Sequence, residues 1–202
     1  MSDNNLVQQF LEAASQGDVA TLKECLEQGI DIDVRNKQKR TAILIAAMND
    51  HLEAVSFLVE AGANVDLQDE TCFNPFLFGC INGKLELVKL MIKANTNIEL
   101  LTRFGGVGIT PASEKGHVEV VRELLKTTDI NVNHTNICGW TPLIEAIILN
   151  DGGEKQQTII KLLIEHGANV HMVDKYGVTP LELARKKGFG EIEQILLTAG
   201  AK

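Results

Sequence analysis

Apolar positions along the chain fall into two alternating stripes separated by short polar breaks, and the alternation recurs at a fixed interval. With Gln8, Thr41, Asn74, Val107, Thr141 and Thr179 as the first position of successive copies, the spacings are 33, 33, 33, 34 and 38 residues. A constant period of this length marks a stacked-repeat architecture and overrides any element-by-element reading. Two positions beyond the first stand Phe10, Ile43, Phe76, Ile109, Leu143 and Leu181, always apolar. Five beyond stand Ala13, Ala46, Gly79, Ala112, Ala146 and Ala184, always tiny. A large residue followed three places later by almost no side chain suits a helix against which a second helix must lie closely. That second helix carries the inner pairs Cys25 with Leu26, Leu58 with Val59, Met91 with Ile92, Leu124 with Leu125, Leu163 with Ile164 and Leu196 with Leu197.

Turn chemistry separates the stripes. Gly17, Asp50, Gly83, Gly116, Asn150 and Gly188 fall between the two helices, and all are residue types that accept or favour positive φ. Gly29, Gly62, Asn95, Gly167 and Gly200 fall after the second helix, where a left-handed residue stops it. The fourth copy has Thr128 and one extra residue there, so its exit must differ. Each copy therefore reads as helix, reversal, helix and then an extended finger such as ANVDLQDETCFN (63–74). The copies span residues 5–36, 37–69, 70–102, 103–136, 137–174 and 175–202. Ordering one 33-residue copy costs roughly 50 kcal/mol at about 1.5 kcal/mol per residue. One helix pair cannot offset that alone, so the copies must stack. The expectation is an all-α solenoid of six helix-turn-helix units with extended fingers, forming one domain over 1–202 with worn end copies as caps.

The motifs TPLIEAI (141–147), TPLELARKKG (179–188), KGHVEVVRELL (115–125) and EAGANVDLQD (60–69) resemble the ankyrin repeat, whose signature carries T-P-L-H-x-A. The resemblance covers residues 5–202. GWTPLIEAI followed by LNDGGEKQ, with the early GG of the fourth copy, is similar to a group of small bacterial ankyrin proteins. The His position of the signature holds Leu44, Leu77, Thr110, Ile144 and Glu182, so the family's hydrogen bond between helix and finger is not guaranteed here.

Composition narrows the function. A formal charge of −8 weighs against duplex nucleic acid, which demands a dense cationic face. Cys25, Cys72, Cys80 and Cys138 show neither CxxC spacing nor a compact framework, which points to free thiols in a reducing compartment. No membrane-length apolar run and no secretory leader is apparent, so the expected setting is the cytoplasm, and the expected state a monomer.

Candidate chemistry largely dissolves into the repeat. GGVGITPASEKGH (105–117) has glycines suggestive of a phosphate loop, but Val107, Ala112 and Gly116 occupy ordinary repeat positions, and the Lys-Ser/Thr pair of such a loop is missing. His51 and His117 share one structural position. His166, His171 and Asp174 form the one loose cluster on which a metal-dependent enzyme could be built, without ligand spacing on a shared helical face. Glu53, Glu86, Glu119 and Glu191 recur near the second helix's start, where they complement its dipole. No catalytic, cofactor or metal residue is assigned.

What the repeat does not dictate is more informative. Alternate residues of an extended finger point one way, so the positions one and three before each first slot should share a face. They include Arg40, Phe73, Phe104, Trp140 and Tyr176, and large aromatics with Arg are the residue types that anchor interfaces. On the neighbouring helix edge stand Met48, Asn49, Ile81, Asn82, Lys115, Ile148 and Leu149, varying from copy to copy. The ankyrin resemblance implies that this finger face and the first-helix edge form a continuous groove, and these residues predict that it holds a protein partner. Small-ligand binding near Trp140, or anionic-polymer binding through the cationic run Arg35–Arg40, are the alternatives. An insertion over 151–157 lengthens the fifth copy's inter-helix loop, a place where solenoids often bind.

Overall fold

A computed structural model describes residues 3–202, with side chains from Asn5 onward. Among these residues the regular structure is twelve α-helices and one isolated antiparallel bridge between Arg35 and Thr41. The helices pack as two compact units.

The first unit comprises the chain as far as Gly79 together with Glu86–Asn97. It holds α1 (Asp3–Gln16), α2 (Val19–Glu27), α3 (Ala42–Met48), α4 (Leu52–Glu60), the start of α5 (Pro75–Asn82) and nearly all of α6 (Leu85–Lys93). Side chains cap the first turns: Asp18 accepts from the Thr21 N–H, Thr41 from Leu44 and Asn74 from Leu77. Such caps satisfy backbone donors that the helix itself leaves open. Phe10, Leu22, Ile43, Leu44, Leu58, Phe76 and Met91 are fully buried, each contributing roughly 1.5–3 kcal/mol of burial free energy. The tiny position does what its pattern implies. A Cβ added to Gly79 on α5 would lie 2.9 Å from Cγ2 of Val88 on α6. The His51 ring lies over Gly17 and its Nε2 is 3.0 Å from the Ser15 carbonyl, so this imidazole ties one reversal to the preceding one.

The second unit comprises Cys80–Leu85 and the chain from Ile98 onward. Its helices are α7 (Ile109–Glu114), α8 (Val118–Thr127), α9 (Pro142–Ile148), α10 (Glu154–Glu165), α11 (Pro180–Lys187) and α12 (Gly190–Thr198). Thr141 and Thr179 cap α9 and α11, and Glu182 completes a reciprocal box by accepting from the Thr179 N–H. Val107 offers no such cap, and α7 begins only at Ile109 and spans six residues. Gly83 and Gly188 adopt positive φ as the turn pattern predicts, but Asn150 does not. The inserted loop moves the left-handed residue to Gly152, over which the Phe189 ring sits much as His117 sits over Gly83. The α8 exit also departs: Thr128 is extended, and its hydroxyl donates to the Leu124 carbonyl.

Candidate functional site

The fingers end in one recurring turn, built five times from the same parts. The N–H of Asn36, Asp69, Thr102, Asn136 and Asp174 donates to the carbonyl four residues on, at Arg40, Phe73, Gly106, Trp140 and Val178. In four of the five turns the same residue's side-chain Oδ1 accepts two further N–H groups, those two and four residues ahead. Thr102 manages one, from Gly106 at 3.2 Å. The fourth residue of every turn is left-handed: Lys39, Cys72, Gly105, Gly139 and Gly177. This geometry breaks the alternation expected of an extended finger. The residues one before each first slot, Arg40, Phe73 and Trp140, are turned partly inward, whereas the second and most third residues of the turns face solvent.

In the first unit the inward turning is specific. Arg40 Nε donates to Asp69 Oδ2 at 3.0 Å, leaving Arg40 27% and Asp69 1% exposed. Burial alone would raise the Asp69 pKa, but hydrogen bonds from the Thr71 hydroxyl, the Phe73 and Thr71 N–H groups and Arg40 outweigh it and hold the carboxyl below its ordinary value. Phe73 meets the Phe78 ring edge-on, centroids 6.2 Å apart. Between the first finger, which carries Arg35, Lys37 and Arg40, and the helices α1 and α3 lies a groove of about 730 Å³. It brings together three of the residues the pattern singled out, Arg40, Met48 and Asn49, with Leu11, Ile45, Arg35 and Lys37.

The second unit presents different chemistry. Phe104, Ile137 and Tyr176, from three successive turns, are 63%, 69% and 74% exposed. The Ile137 N–H donates to the Phe104 carbonyl at 3.1 Å, locking two of these turns side by side. A cation lies over each ring: Arg103 is 5.8 Å from the Phe104 centroid and Lys175 is 5.1 Å from that of Tyr176. Trp140 is half-buried with its indole N–H enclosed and, among the described residues, without an acceptor. Leu149 is exposed at the end of α9, Lys115 is exposed and paired with Glu114 at 2.7 Å, and Asn82 is exposed at the end of α5. Ile137 escaped the sequence reading because it stands four positions before its slot, a place the alternation rule does not select.

A buried carboxyl supports the Ile137 turn. Asn136 uses its Oδ1 to cap the turn and its amide to donate to Glu145 on α9. Burial first, and then the Glu114 charge, push the Glu145 pKa up from 4.5 to about 7, against the lowering effects of Asn136 and Lys115.

Most of the remaining candidates have structural partners, whereas His171 is exposed and only its backbone N–H is bonded, to Asn169 Oδ1. His117 Nε2 sits 3.0 Å from the Ile81 carbonyl, His134 Nε2 is 2.7 Å from Gly105 O, and His166 Nδ1 is 2.8 Å from Leu162 O in the last turn of its own helix. Asp174 is buried as a turn cap. Among the described residues no three His, Cys, Asp or Glu side chains are grouped to hold a metal ion. Cys25 and Cys80 are buried and desolvation raises both thiol pKa values, while Cys72 and Cys138 are free and half-buried. No helix among the described residues is long and apolar enough to cross a membrane.

The family model described as "Ankyrin repeats (3 copies)" matches residues 10–103 and again 109–202. The chain belongs to the ankyrin repeat family. It is 54% identical over 201 residues to the ankyrin repeat protein YahD of Escherichia coli (strain K12), covering 100% of both chains. An ankyrin repeat domain from Acinetobacter baumannii AYE superimposes with a TM-score of 0.91 at 40% identity, over 96% of this chain and 98% of that one. The ankyrin repeat protein EF0377 superimposes with a TM-score of 0.90 at 34% identity, over 97% and 98%. The fold is thus the ankyrin solenoid, with helix pairs as the repeating unit. Ankyrin repeats are in general protein-interaction modules, typically non-catalytic.

Proposed function

We propose that this chain is a non-catalytic scaffold that binds a protein partner through the finger turns of its second unit. The observation that carries the reading is the row formed by Phe104, Ile137 and Tyr176. Large side chains held out to water by hydrogen-bonded backbone turns cost solubility and add nothing to the core. Aromatic anchors on rigid supports lose little freedom on association, which favours affinity. Leu149 and Lys115 extend the surface along the first-helix edge in the same unit. Trp140, Phe73 and Arg40 serve mainly by holding the turns, with only their edges available to a ligand.

The reading includes a cytoplasmic setting, supported by four unpaired cysteines, a monomeric state, and one folding domain for all six copies. Coincident unfolding of a fluorophore in each unit would support the single domain, and two separated transitions would contradict it.

Photo-crosslinking tests the surface. A photoreactive residue placed at 104, 137 or 176 should yield one shared partner protein from cells, and the same residue at exposed Lys161 on α10 should not. Equal crosslinking from Lys161 would overturn the assignment.

A further inference from the structure

The groove of the first unit has a character of its own. Its walls are α1 and α3, contributing Val7, Leu11, Ile45 and Met48, and its rim is the first finger. That finger holds Arg35, Lys37, Lys39 and Arg40 within six residues of a chain whose net charge is −8. Arg40 is already answered by Asp69. Arg35, Lys37 and Lys39 are exposed and, among the described residues, make no ion pair. Exposed like charges set this close repel one another weakly through water, and an anionic ligand relieves that repulsion.

We propose that the first-unit groove binds an acidic peptide segment carrying a large apolar side chain. Carboxylates of the segment meet Arg35 and Lys37 at the rim, and its apolar side chain lies on Leu11, Ile45 and Met48. Methionine suits this floor because its unbranched side chain adapts to more than one shape. A volume of about 730 Å³ lies within the range of roughly 300–1,000 Å³ typical of binding clefts. A nucleic-acid strand fits less well. No aromatic ring lines the groove to stack a base. The inference shares with the preceding section the reading of the chain as a protein-binding module, but it uses another unit and other residues.

An array of random 12-residue peptides, probed with the intact chain at low salt, reads the preference directly. Retained peptides should be enriched in Asp and Glu together with Leu, Ile, Met or Phe. The double substitution Arg35→Glu with Lys37→Glu should weaken the retained peptides at least tenfold, and Phe104→Ala with Tyr176→Ala should leave them within twofold. Arg35→Gln with Lys37→Gln supplies a gentler variant should charge reversal perturb folding, and circular dichroism confirms the helices in each. Retention without acidic enrichment, no retention at all, or acidic enrichment that survives both substitutions would overturn the proposal. So would a 12-nucleotide single-stranded DNA that binds more tightly than the best peptide.

Discussion

The two units build their fingers on the same turn and then dress it in opposite ways. In the first, the residue closing the turn is pinned inward, Arg40 onto Asp69 and Phe73 onto Phe78, and the outward positions are mostly charged or polar. In the second, the outward positions carry Phe104, Ile137 and Tyr176. The comparison teaches which residues are scaffold. Those at the start and at the left-handed point of the turn fix its conformation, and those between are free to specify a ligand. The units also hide different carboxyls: Asp69 ionised and paired, Glu145 buried beside a like charge.

Removing the pinned carboxylate should have the largest effect on stability. Asp69→Ala leaves the part-buried Arg40 without its partner and two backbone donors without an acceptor, and losing several hydrogen bonds to one charged group costs about 3–5 kcal/mol. Urea denaturation should show a loss in that range, against about 1 kcal/mol for Thr102→Ala, whose side chain accepts a single N–H. Equal losses would break the idea that the turns differ in how firmly they are held.

The two carboxyls should next give opposite pH dependences. Asp69 has a lowered folded pKa, so its contribution is complete above the ordinary 3.8 and disappears as pH falls through the folded value. Glu145 has a raised one. Its neutral form suits the fold, so stability falls as pH rises from about 4.5 to about 7 and stays reduced above that. The difference amounts to about 3 kcal/mol at most. Glu145→Gln should therefore stabilise the protein at pH 8, change little at pH 4.5, and flatten the profile between. A profile unaltered by this substitution would show that Glu145 is ionised in the fold at little cost.

A smaller effect should separate the left-handed positions. Cys72 has φ of 64° where the second-unit turns have glycine. Cys72→Gly should stabilise by about 1 kcal/mol, read as a higher urea midpoint. A destabilised variant would mean that contacts of the thiol outweigh the strain.

Much of this was legible in the chain. Thr41, Thr141 and Thr179 announce helix starts, Ala46, Ala112 and Ala146 the close helix contacts, and Gly62 and Gly167 the helix stops, because each demand falls on one residue's own size or backbone freedom. The finger surface was less legible. Reading it as a plain strand paired Trp140 with Cys138, whereas the left-handed Gly139 turns Trp140 inward and leaves Ile137 outside. The signal was present in Asn36, Asp69, Asn136 and Asp174, each five positions before its slot, but side chains that cap a turn look like any polar loop residue until the turn is seen. Glu145 was invisible for another reason. Its burial depends on α7 packing against α9, a contact that the one-dimensional pattern does not weigh.

The most direct test of the binding surface is the affinity of the crosslinked partner, once purified, for the wild type and for the triple variant Phe104→Ala, Ile137→Ala, Tyr176→Ala. Truncating anchors of this kind costs about 2 kcal/mol or more. The account predicts at least about 30-fold weaker binding with helix content and urea midpoint unchanged. An affinity within twofold of wild type, in a variant that remains folded, would contradict it.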